Sequence, residues 1–287
     1  MKKIGIVLFL FVCARAFSQE VPTPDMVRQL ISGDIKSLGI EPEKIFRTED
    51  QKADGVPIRI YYPDASKKWN IIYNIHGGAL VAGDLDTHEN ISRKLANAAH
   101  AIVISVDYRK APENPFPKSL EDVETVYKWI IGNQIKIGGS DSKVSIVSDS
   151  GGSLLAAALQ VKIKRDSVEN KIDRVVYINP AFDLRNPGED FYGLVTQWYL
   201  SGADASNELV SPIATGDFTV FAPCLIVVNE KDVLLPHGVV FGKKLDAAHV
   251  RNEIITVKDE DHFGGFWAGA HPKINAVFEK TIAFLTK

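Results

Sequence analysis

A serine stands in a sharp turn between an apolar strand and a helix of small residues. The stretch reads KVSIVSDSGGSLLAAAL, and its turn runs from Ser148 to Gly152. A strand, turn and helix in this order lift a serine hydroxyl clear of a sheet, where it can act as a nucleophile. The usual pattern is G-x-S-x-G, with Ser148 here in the first glycine position. The pattern predicts Ser150 as a nucleophile, although a glycine-rich turn before a core helix would look the same.

A second group of residues could supply hydrogen-bond donors. In NIHGGAL, residues 74–80, an apolar strand runs into paired glycines after His76. Acyl transfer through a tetrahedral intermediate needs preorganised donors at the developing oxyanion, and each is worth about 3 to 4 kcal/mol. Since glycines let backbone N–H groups approach closely, we predict Gly77, Gly78 and Gly151 as oxyanion-hole donors. A flexible strand exit, with His76 packed or bonded to backbone, is the alternative interpretation.

A nucleophilic serine also needs a base, and an acid that orients the base. Asp232 follows the apolar run from Leu225 to Val228, and His262 follows the run from Glu253 to Val257. Each comes just beyond a later strand, in the order acid and then histidine that accompanies such a serine on a parallel sheet. We therefore predict Asp232 and His262 as the partners of Ser150.

Other residues compete for these two roles. Glu230 could replace Asp232 as the orienting acid, whereas Asp261 is adjacent to His262 in sequence and poorly placed to reach its imidazole. His271, just before the last helix, is the rival base. The remaining histidines lie in helical or cap-facing contexts and are predicted to be structural: His88, His100, His237 and His249.

These residues require a sheet whose strands end close together. From about residue 56 onward, short apolar runs alternate with amphipathic helical stretches, which predicts an α/β fold with a mostly parallel sheet flanked by helices. The strand candidates are Ile58 to Tyr62, Ile71 to Ile75, Ala101 to Val106, Val144 to Val147, Val175 to Ile178, Leu225 to Val228 and Glu253 to Val257.

Two segments do not fit this alternation. They are residues 19–53 and residues 182–215, the second rich in aromatic, acidic and glycine residues. We predict both as cap elements over the open end of the sheet. An ordinary connecting loop is the alternative for residues 182–215, because lids and simple insertions look alike in one sequence.

Composition limits the possible functions. The 287 residues are 45% hydrophobic and 24% charged, which is typical of a globular protein with one catalytic domain, here residues 19–287. The formal net charge is -3, and Lys and Arg are scattered along the chain. There is no basic face for a phosphate backbone, so nucleic acid is excluded as a predicted partner.

The first 18 residues predict a removable secretory signal. Met1-Lys2-Lys3 precedes the apolar run IGIVLFLFVCA, and small residues lie before Gln19. The run is shorter than the roughly 20 residues of a membrane span, so we expect cleavage after Ser18, export to the periplasm or medium, and no membrane span in the mature form. Cys224 is then the one remaining cysteine, which predicts a buried thiol without a disulfide.

These stretches together resemble a known family. The segment HGGALVAGDLDTHENISRKLANAAHAIVISVDYRKAPENPFPKSLED, residues 76–122, is followed by SDSGG, NEKDVL and DHF. This combination is similar to the hormone-sensitive-lipase family of bacterial esterases, from about residue 56 to the end. Its DYR at 107–109, with APE at 111–113 and FP at 116–117, is a marker separate from the catalytic residues.

The resemblance implies an α/β-hydrolase fold and hydrolysis of carboxylic esters, mostly with short acyl chains, without metal or cofactor. A small-molecule ester is then the expected partner. By position it implies the same roles for Ser150, Asp232 and His262, and for the three oxyanion glycines. Two departures stand out, Ser148 and Ala79, each where the family carries glycine. The cap also looks shorter than is typical.

Ester hydrolysis through an acyl-enzyme, with acetyl as the expected acyl group, leaves three alternatives. One is an O-deacetylase of carbohydrates or xenobiotics, with Trp198 or Tyr199 stacked on a sugar unless they pack in the core. A peptidase of the same fold is another, although such enzymes usually carry a large extra domain. The third is a binding protein without catalysis, against which the complete set of catalytic residues argues.

Overall fold

The computed structural model describes residues 22–37, 41–66, 68–262 and 272–287. Eight strands form one sheet: β1 (Arg47–Ala53), β2 (Val56–Tyr62), β3 (Trp69–Ile75), β4 (Ala101–Val106), β5 (Gly139–Asp149), β6 (Ile172–Ile178), β7 (Cys224–Asn229) and β8 (Asn252–Val257). All seven predicted strands are present within these bounds.

The strand order across the sheet is β1-β2-β4-β3-β5-β6-β7-β8. The pairs β1/β2 and β2/β4 are antiparallel, and every other neighbouring pair is parallel. The predicted α/β fold with a mostly parallel sheet is therefore confirmed. The carboxyl ends of β3, β5, β7 and β8 lie at one edge of the sheet, where ligands bind in open parallel sheets.

Helices cover both faces of this sheet. Because side chains alternate along a strand, Ile71 and Tyr73 join the hydrophobic core on one face, and Ile72 joins that on the other. The helices are α1 (Pro24–Ser37), α2 (Glu89–Ala99), α3 (Lys118–Asn133), α4 (Ser150–Arg165), α5 (Phe191–Leu200), α6 (Leu235–Ala247) and α7 (Pro272–Leu285). Two short 3₁₀ helices span Pro212–Ala214 and Phe218–Val220.

The edge strand β1 corrects one expectation. Residues 47–53 belong to the sheet and not to a cap, because they pair with β2 from Arg47 opposite Tyr62 to Ala53 opposite Val56. A two-residue turn at Asp54 and Gly55, with φ values of +47° and +98°, joins the two strands. The Asp-Gly pair is a typical hairpin signal, but the polar and mostly exposed β1 lacks the alternation that marks a strand.

The amino-terminal helix α1 lies against the loop that follows β3. The Arg28 guanidinium donates to the carbonyl oxygens of Val81 at 3.0 Å and Ala111 at 3.2 Å, and it pairs with Glu113. These contacts hold α1 beside the edge of the sheet where β3 ends. The predicted signal, residues 1–18, lies outside the described residues, and no described helix is long and apolar enough to cross a membrane.

Cys224 opens strand β7 and is 1% exposed. It is a free thiol, as predicted, and burial raises its pKa to about 12. The thiol is therefore protonated at neutral pH and behaves as a small hydrophobic side chain.

Candidate active site

Ser150 is the first residue of α4 and directly follows β5. Its φ of +45° is unusual for a residue with a side chain, and such backbone strain is typical of functional turns. The turn needs Gly152, because a Cβ there would lie 2.2 Å from the carbonyl oxygen of Ile75 and 2.4 Å from that of His76. Helix α4 can thus press against the end of β3 while the hydroxyl of Ser150 stays at the sheet edge.

Ser148, the departure from the glycine pattern, fits this turn. Its side chain is buried, and its hydroxyl lies 3.2 Å from both the Ser153 hydroxyl and the Val176 carbonyl oxygen. These contacts connect β5, α4 and β6 just behind the nucleophile position. A serine can therefore stand in place of glycine here without leaving its buried hydroxyl unpaired.

The structure brings Ser150, His262 and Asp232 together. Ser150 Oγ lies 3.0 Å from His262 Nε2, and His262 Nδ1 lies 2.8 Å from Asp232 Oδ2. The Asp232 side chain is fully buried, and its other oxygen accepts the backbone N–H of Leu234 at 2.9 Å. Because a carboxylate only accepts, Nδ1 carries the imidazole proton and Nε2 can take one from the serine.

The competing residues do not occupy these positions. Glu230 Oε2 accepts the backbone N–H of Asp259 at 2.9 Å and is not the acid that contacts His262. His271 lies outside the described residues. His88 and His237 are buried, and burial lowers the pKa of His88 to about 3 and that of His237 from its usual value. Both imidazoles are therefore neutral at pH 7.

The first predicted oxyanion donor, Gly77, is not available for that role. Its backbone N–H is donated to Asp149 Oδ1 at 2.9 Å. The contact is close enough that a Cβ on Gly77 would lie 1.9 Å from Asp149 Oδ2. Asp149 is buried, and this burial raises the pKa of its carboxyl well above the usual range. The prediction for Gly77 is corrected: this glycine anchors the loop and leaves later residues to face a substrate.

Gly78 and the two residues after it have left-handed backbone conformations, with φ values of +118°, +54° for Ala79 and +65° for Leu80. Among the described residues, the N–H groups of Gly78 and Ala79 have no acceptor. A Cβ on Gly151 would lie 3.1 Å from the backbone nitrogen of Leu80, so this loop borders the start of α4. Successive N–H groups in such a turn form a concave site for an anion.

The side chain of His76 supports this loop through contacts with Gly77 and Tyr108. The imidazole is buried and stacks on Tyr108 with ring centroids 4.3 Å apart. Its Nδ1 lies 2.6 Å from the carbonyl oxygen of Gly77, and the Tyr108 hydroxyl donates to the His76 carbonyl oxygen at 2.7 Å. Burial lowers the pKa of His76 well below its usual value, so it is neutral. His76 is therefore packed and bonded to the backbone, and it supports the loop that carries Gly78 and Ala79.

Helix α5, inside the predicted cap segment 182–215, reaches the site through Tyr192. The Asp190 side chain accepts the N–H of Tyr192 at 3.0 Å and so fixes the start of the helix. The Tyr192 ring meets the His262 ring edge-on, at 6.1 Å between centroids and 86° between planes. Tyr199 of the same helix is completely buried and contacts Phe116, so it packs in the core and cannot stack on a sugar.

Sequence reasoning missed two residues at this edge, Asn179 and Asn229. Both are buried, and their side chains donate to the backbone of His262 and Asp261. The signal is present in the sequence, since each is the first polar residue directly after an apolar run predicted as a strand. Within the described residues no group of three potential ligands could hold a metal ion.

Comparison with known proteins identifies the family. A family model described as the alpha/beta hydrolase fold matches residues 72–267. The chain belongs to this α/β-hydrolase family. Its fold is similar to a solved structure, the hyperthermophilic esterase from the archaeon Pyrobaculum calidifontis, with a TM-score of 0.85 and 26% identity over 96% of this chain and 97% of that one. The resemblance to bacterial esterases of the hormone-sensitive-lipase type is confirmed.

Curated relatives match about two thirds to three quarters of this chain. Carboxylesterase NlhH of Mycobacterium tuberculosis is 30% identical over 217 residues, which are 69% of this chain and 68% of the relative. Ethyl acetate hydrolase of Pseudomonas putida is 27% identical over 241 residues, 77% of this chain and 76% of the relative. The family match at residues 72–267 includes the segments that carry Ser150, Asp232 and His262.

Proposed function

We propose that this α/β hydrolase cleaves short-chain carboxylic esters through an acyl-enzyme formed on Ser150. One observation carries the proposal: the Ser150 hydroxyl is 3.0 Å from His262 Nε2, and Asp232 holds the opposite ring nitrogen at 2.8 Å. A serine within hydrogen-bond reach of a base that is itself oriented by an acid is the arrangement of an activated nucleophile. Ester hydrolysis is also the activity in the names of its relatives, which include a carboxylesterase, an esterase and an arylesterase.

In the first step His262 Nε2 takes the proton of the Ser150 hydroxyl while Oγ attacks the ester carbonyl carbon. The carbonyl oxygen becomes an oxyanion that accepts hydrogen bonds from the N–H groups of Gly78, Ala79 and Gly151. Two of these donors lack an acceptor among the described residues, and Gly151 is in the first turn of α4, where N–H groups have no partner within the helix. The alcohol then leaves with the proton from His262.

Water completes the reaction. His262 removes a proton from the water as its oxygen attacks the acyl carbon, and the collapse of the second tetrahedral intermediate returns the proton to Ser150 Oγ and releases the acid. The buried carboxylate of Asp232 stabilises the imidazolium that forms in both steps. An imidazolium cannot accept a proton, so the first step requires His262 in its neutral form.

The preference for short acyl chains rests on two observations. Tyr192 lies edge-on against His262 and occupies space beside this base. A relative at 27% identity is named ethyl acetate hydrolase, which places a two-carbon acyl group in the name of one family member. We therefore propose acetyl esters as the best substrates.

The test is hydrolysis of p-nitrophenyl esters from acetyl to dodecanoyl by the wild type and by Ser150→Ala. Ser167→Gly is the matched control, because it removes a hydroxyl just beyond the other end of the same helix, about 25 Å away, at a φ of +52° that glycine tolerates. We expect cleavage of the short esters by the wild type and the control, and none by Ser150→Ala. Equal rates for both variants would refute the proposal. Acetylated sugars in the same panel separate a carbohydrate deacetylase from a general esterase.

We also propose that the protein is exported. Two lysines, a short apolar run and the small residues before Gln19 support a cleavable signal at residues 1–18. Mass spectrometry of the protein secreted by expressing cells should give a chain that begins at Gln19. A chain that retains Met1 in the cytoplasmic fraction would contradict export.

A further inference from the structure

The segment that carries His262 runs alongside the carboxyl end of β7. Its first residues are held by ordinary contacts: Lys231 donates its N–H to the Glu260 carbonyl oxygen at 2.9 Å, and Glu230 accepts the N–H of Asp259. The next two residues, Asp261 and His262, are instead held by side-chain amides. Asn229 Nδ2 donates to the Asp261 carbonyl oxygen at 2.6 Å. Asn179 Nδ2 donates to the His262 carbonyl oxygen at 3.2 Å.

The two asparagines are also bonded to each other. The backbone N–H of Asn229 donates to Asn179 Oδ1 at 3.0 Å, and the N–H of Asn179 donates to the Val227 carbonyl oxygen at 2.8 Å. Asn179 is 5% exposed and Asn229 is 3% exposed. Asn179 directly follows the parallel strand β6, and Asn229 is the last residue of the parallel strand β7. Both amides are therefore attached to rigid elements. Asparagine suits this position because one side chain supplies both an acceptor and donors.

The conformation of Asn179 agrees with a dedicated role. Its φ of +44° lies in the left-handed region, which asparagine adopts more readily than most residues with a side chain. This turn of the backbone is accompanied by bonds to two different elements, the end of β7 and the His262 segment.

We propose that Asn179 and Asn229 form an amide clamp that positions the backbone of His262, so that its imidazole bridges Ser150 and Asp232. They are positioning residues and act through His262. The inference rests on the proposed function, since it concerns the general base of that reaction. Without the clamp, Asp232 still holds Nδ1, but the two carbonyl oxygens lose their fixed donors and the distance from Nε2 to Ser150 is no longer fixed from the backbone side.

The experiment is a double-mutant cycle with p-nitrophenyl acetate as substrate. Asn229→Ala removes the bond to Asp261 and leaves the backbone bond to Asn179 intact. In the wild-type background we expect kcat to fall about ten- to hundredfold with little change in KM, because a small displacement of a catalytic group has effects of this size. In the His262→Ala background the same substitution should change the residual rate by less than about twofold, since residues that act as a unit are not additive.

Gln160→Ala is the matched control. Gln160 is an equally buried amide that bridges Tyr177 and the backbone of Ala222, and it does not contact the His262 segment. It should lower the unfolding temperature while kcat remains within about twofold of the wild type, as expected for a residue with a structural role alone. Circular dichroism and thermal unfolding establish that each variant is folded.

Two outcomes would overturn the inference. The first is a kcat for Asn229→Ala near that of the wild type. The second is that Asn229→Ala lowers the rate by the same factor in the wild-type and His262→Ala backgrounds. If Asn229→Ala does not fold, Asn229→Ser and Asn179→Gly are compared in the same two backgrounds, and glycine is compatible with the positive φ at residue 179. If none of the three folds, the role is structural and the inference fails. Full activity of Ser150→Ala would refute the proposed function instead, independently of the asparagine variants.

Discussion

The carboxyl group of Asp149 accepts the backbone N–H of Gly77 at 2.9 Å. One residue precedes the nucleophile and the other begins the glycine loop after β3, so this bond sets the spacing between the two halves of the site. It joins residues that are 72 positions apart in the chain. The geometry of the oxyanion donors therefore depends on the residue beside Ser150.

Replacement of Asp149 should separate the roles of acceptor and charge. Asp149→Ala removes the acceptor of the Gly77 N–H, and we expect kcat to fall about a hundredfold as the donors of the loop lose their alignment. Asp149→Asn retains a carbonyl oxygen and should keep most of the activity, because burial favours the neutral carboxyl that asparagine mimics. Steady-state kinetics on p-nitrophenyl acetate measure both. Equal losses in the two variants would contradict a role as acceptor.

Asp232→Asn should lower kcat far more than it lowers stability. An amide that donates to Nδ1 favours the tautomer with its proton on Nε2, which then cannot accept the proton of Ser150. We expect a loss of about 10⁴-fold in kcat with an unchanged fold. Glu230→Gln is the control for the rival acid and should leave kcat within about twofold. A large loss of kcat in Glu230→Gln would restore Glu230 as the orienting acid.

Tyr192 should affect specificity through its ring and not through its hydroxyl. Tyr192→Ala exposes one edge of His262 to water and enlarges the space beside it, so we expect kcat/KM for the acetyl ester to fall about tenfold. The ratio of butanoyl to acetyl hydrolysis should rise in the same variant. Tyr192→Phe keeps the edge-on contact and should resemble the wild type. If Tyr192→Phe is as impaired as Tyr192→Ala, the hydroxyl is the functional group.

Ser148→Ala should reduce stability without reducing kcat. The hydroxyl contacts Ser153 and Val176, both at 3.2 Å, and its removal leaves the turn backbone in place. A buried hydrogen bond is worth about 1 kcal/mol, so the free energy of unfolding in urea should fall by that amount. A kcat reduced more than about threefold would mean that Ser148 also aligns the nucleophile.

Buried His88 should make the protein less stable in acid. Burial lowers its pKa from 6.5 to about 3, so between these values the unfolded chain binds a proton that the folded chain does not. Stability from this group is complete above about pH 6.5 and falls as pH decreases towards about 3, with a loss of about 2 kcal/mol at pH 5. In His88→Gln this loss disappears. Urea unfolding of both proteins at pH 7.5 and pH 5 measures the difference, and parallel changes would contradict the assignment.

The strands and the three central residues could be predicted because their patterns are local. The strands β5 and β7, which lead to Ser150 and Asp232, end in buried and largely apolar runs. Strand β8, before His262, is mostly exposed and is marked by its β-branched residues, 254–257. Strand β1 was missed because an exposed edge strand needs no apolar residues.

The oxyanion loop could not be predicted at the level of single N–H groups. Which of these groups is free depends on the reach of the Asp149 side chain across the sheet, and no spacing in the sequence encodes that distance. The partners of Asn179 and Asn229 could not be predicted either, because they lie in a segment 83 and 32 residues further along the chain.

The rate at which Cys224 reacts with a thiol reagent can report how often the sheet opens. Its thiol is shielded at the first residue of β7, the strand that ends in Asn229 and leads to Asp232. A thiol reagent in the medium can therefore modify the folded protein only as fast as β7 is exposed. In protein from which residues 1–18 have been removed, the labelling rate would report how often the strand that leads to Asp232 opens, without a substrate or an added mutation.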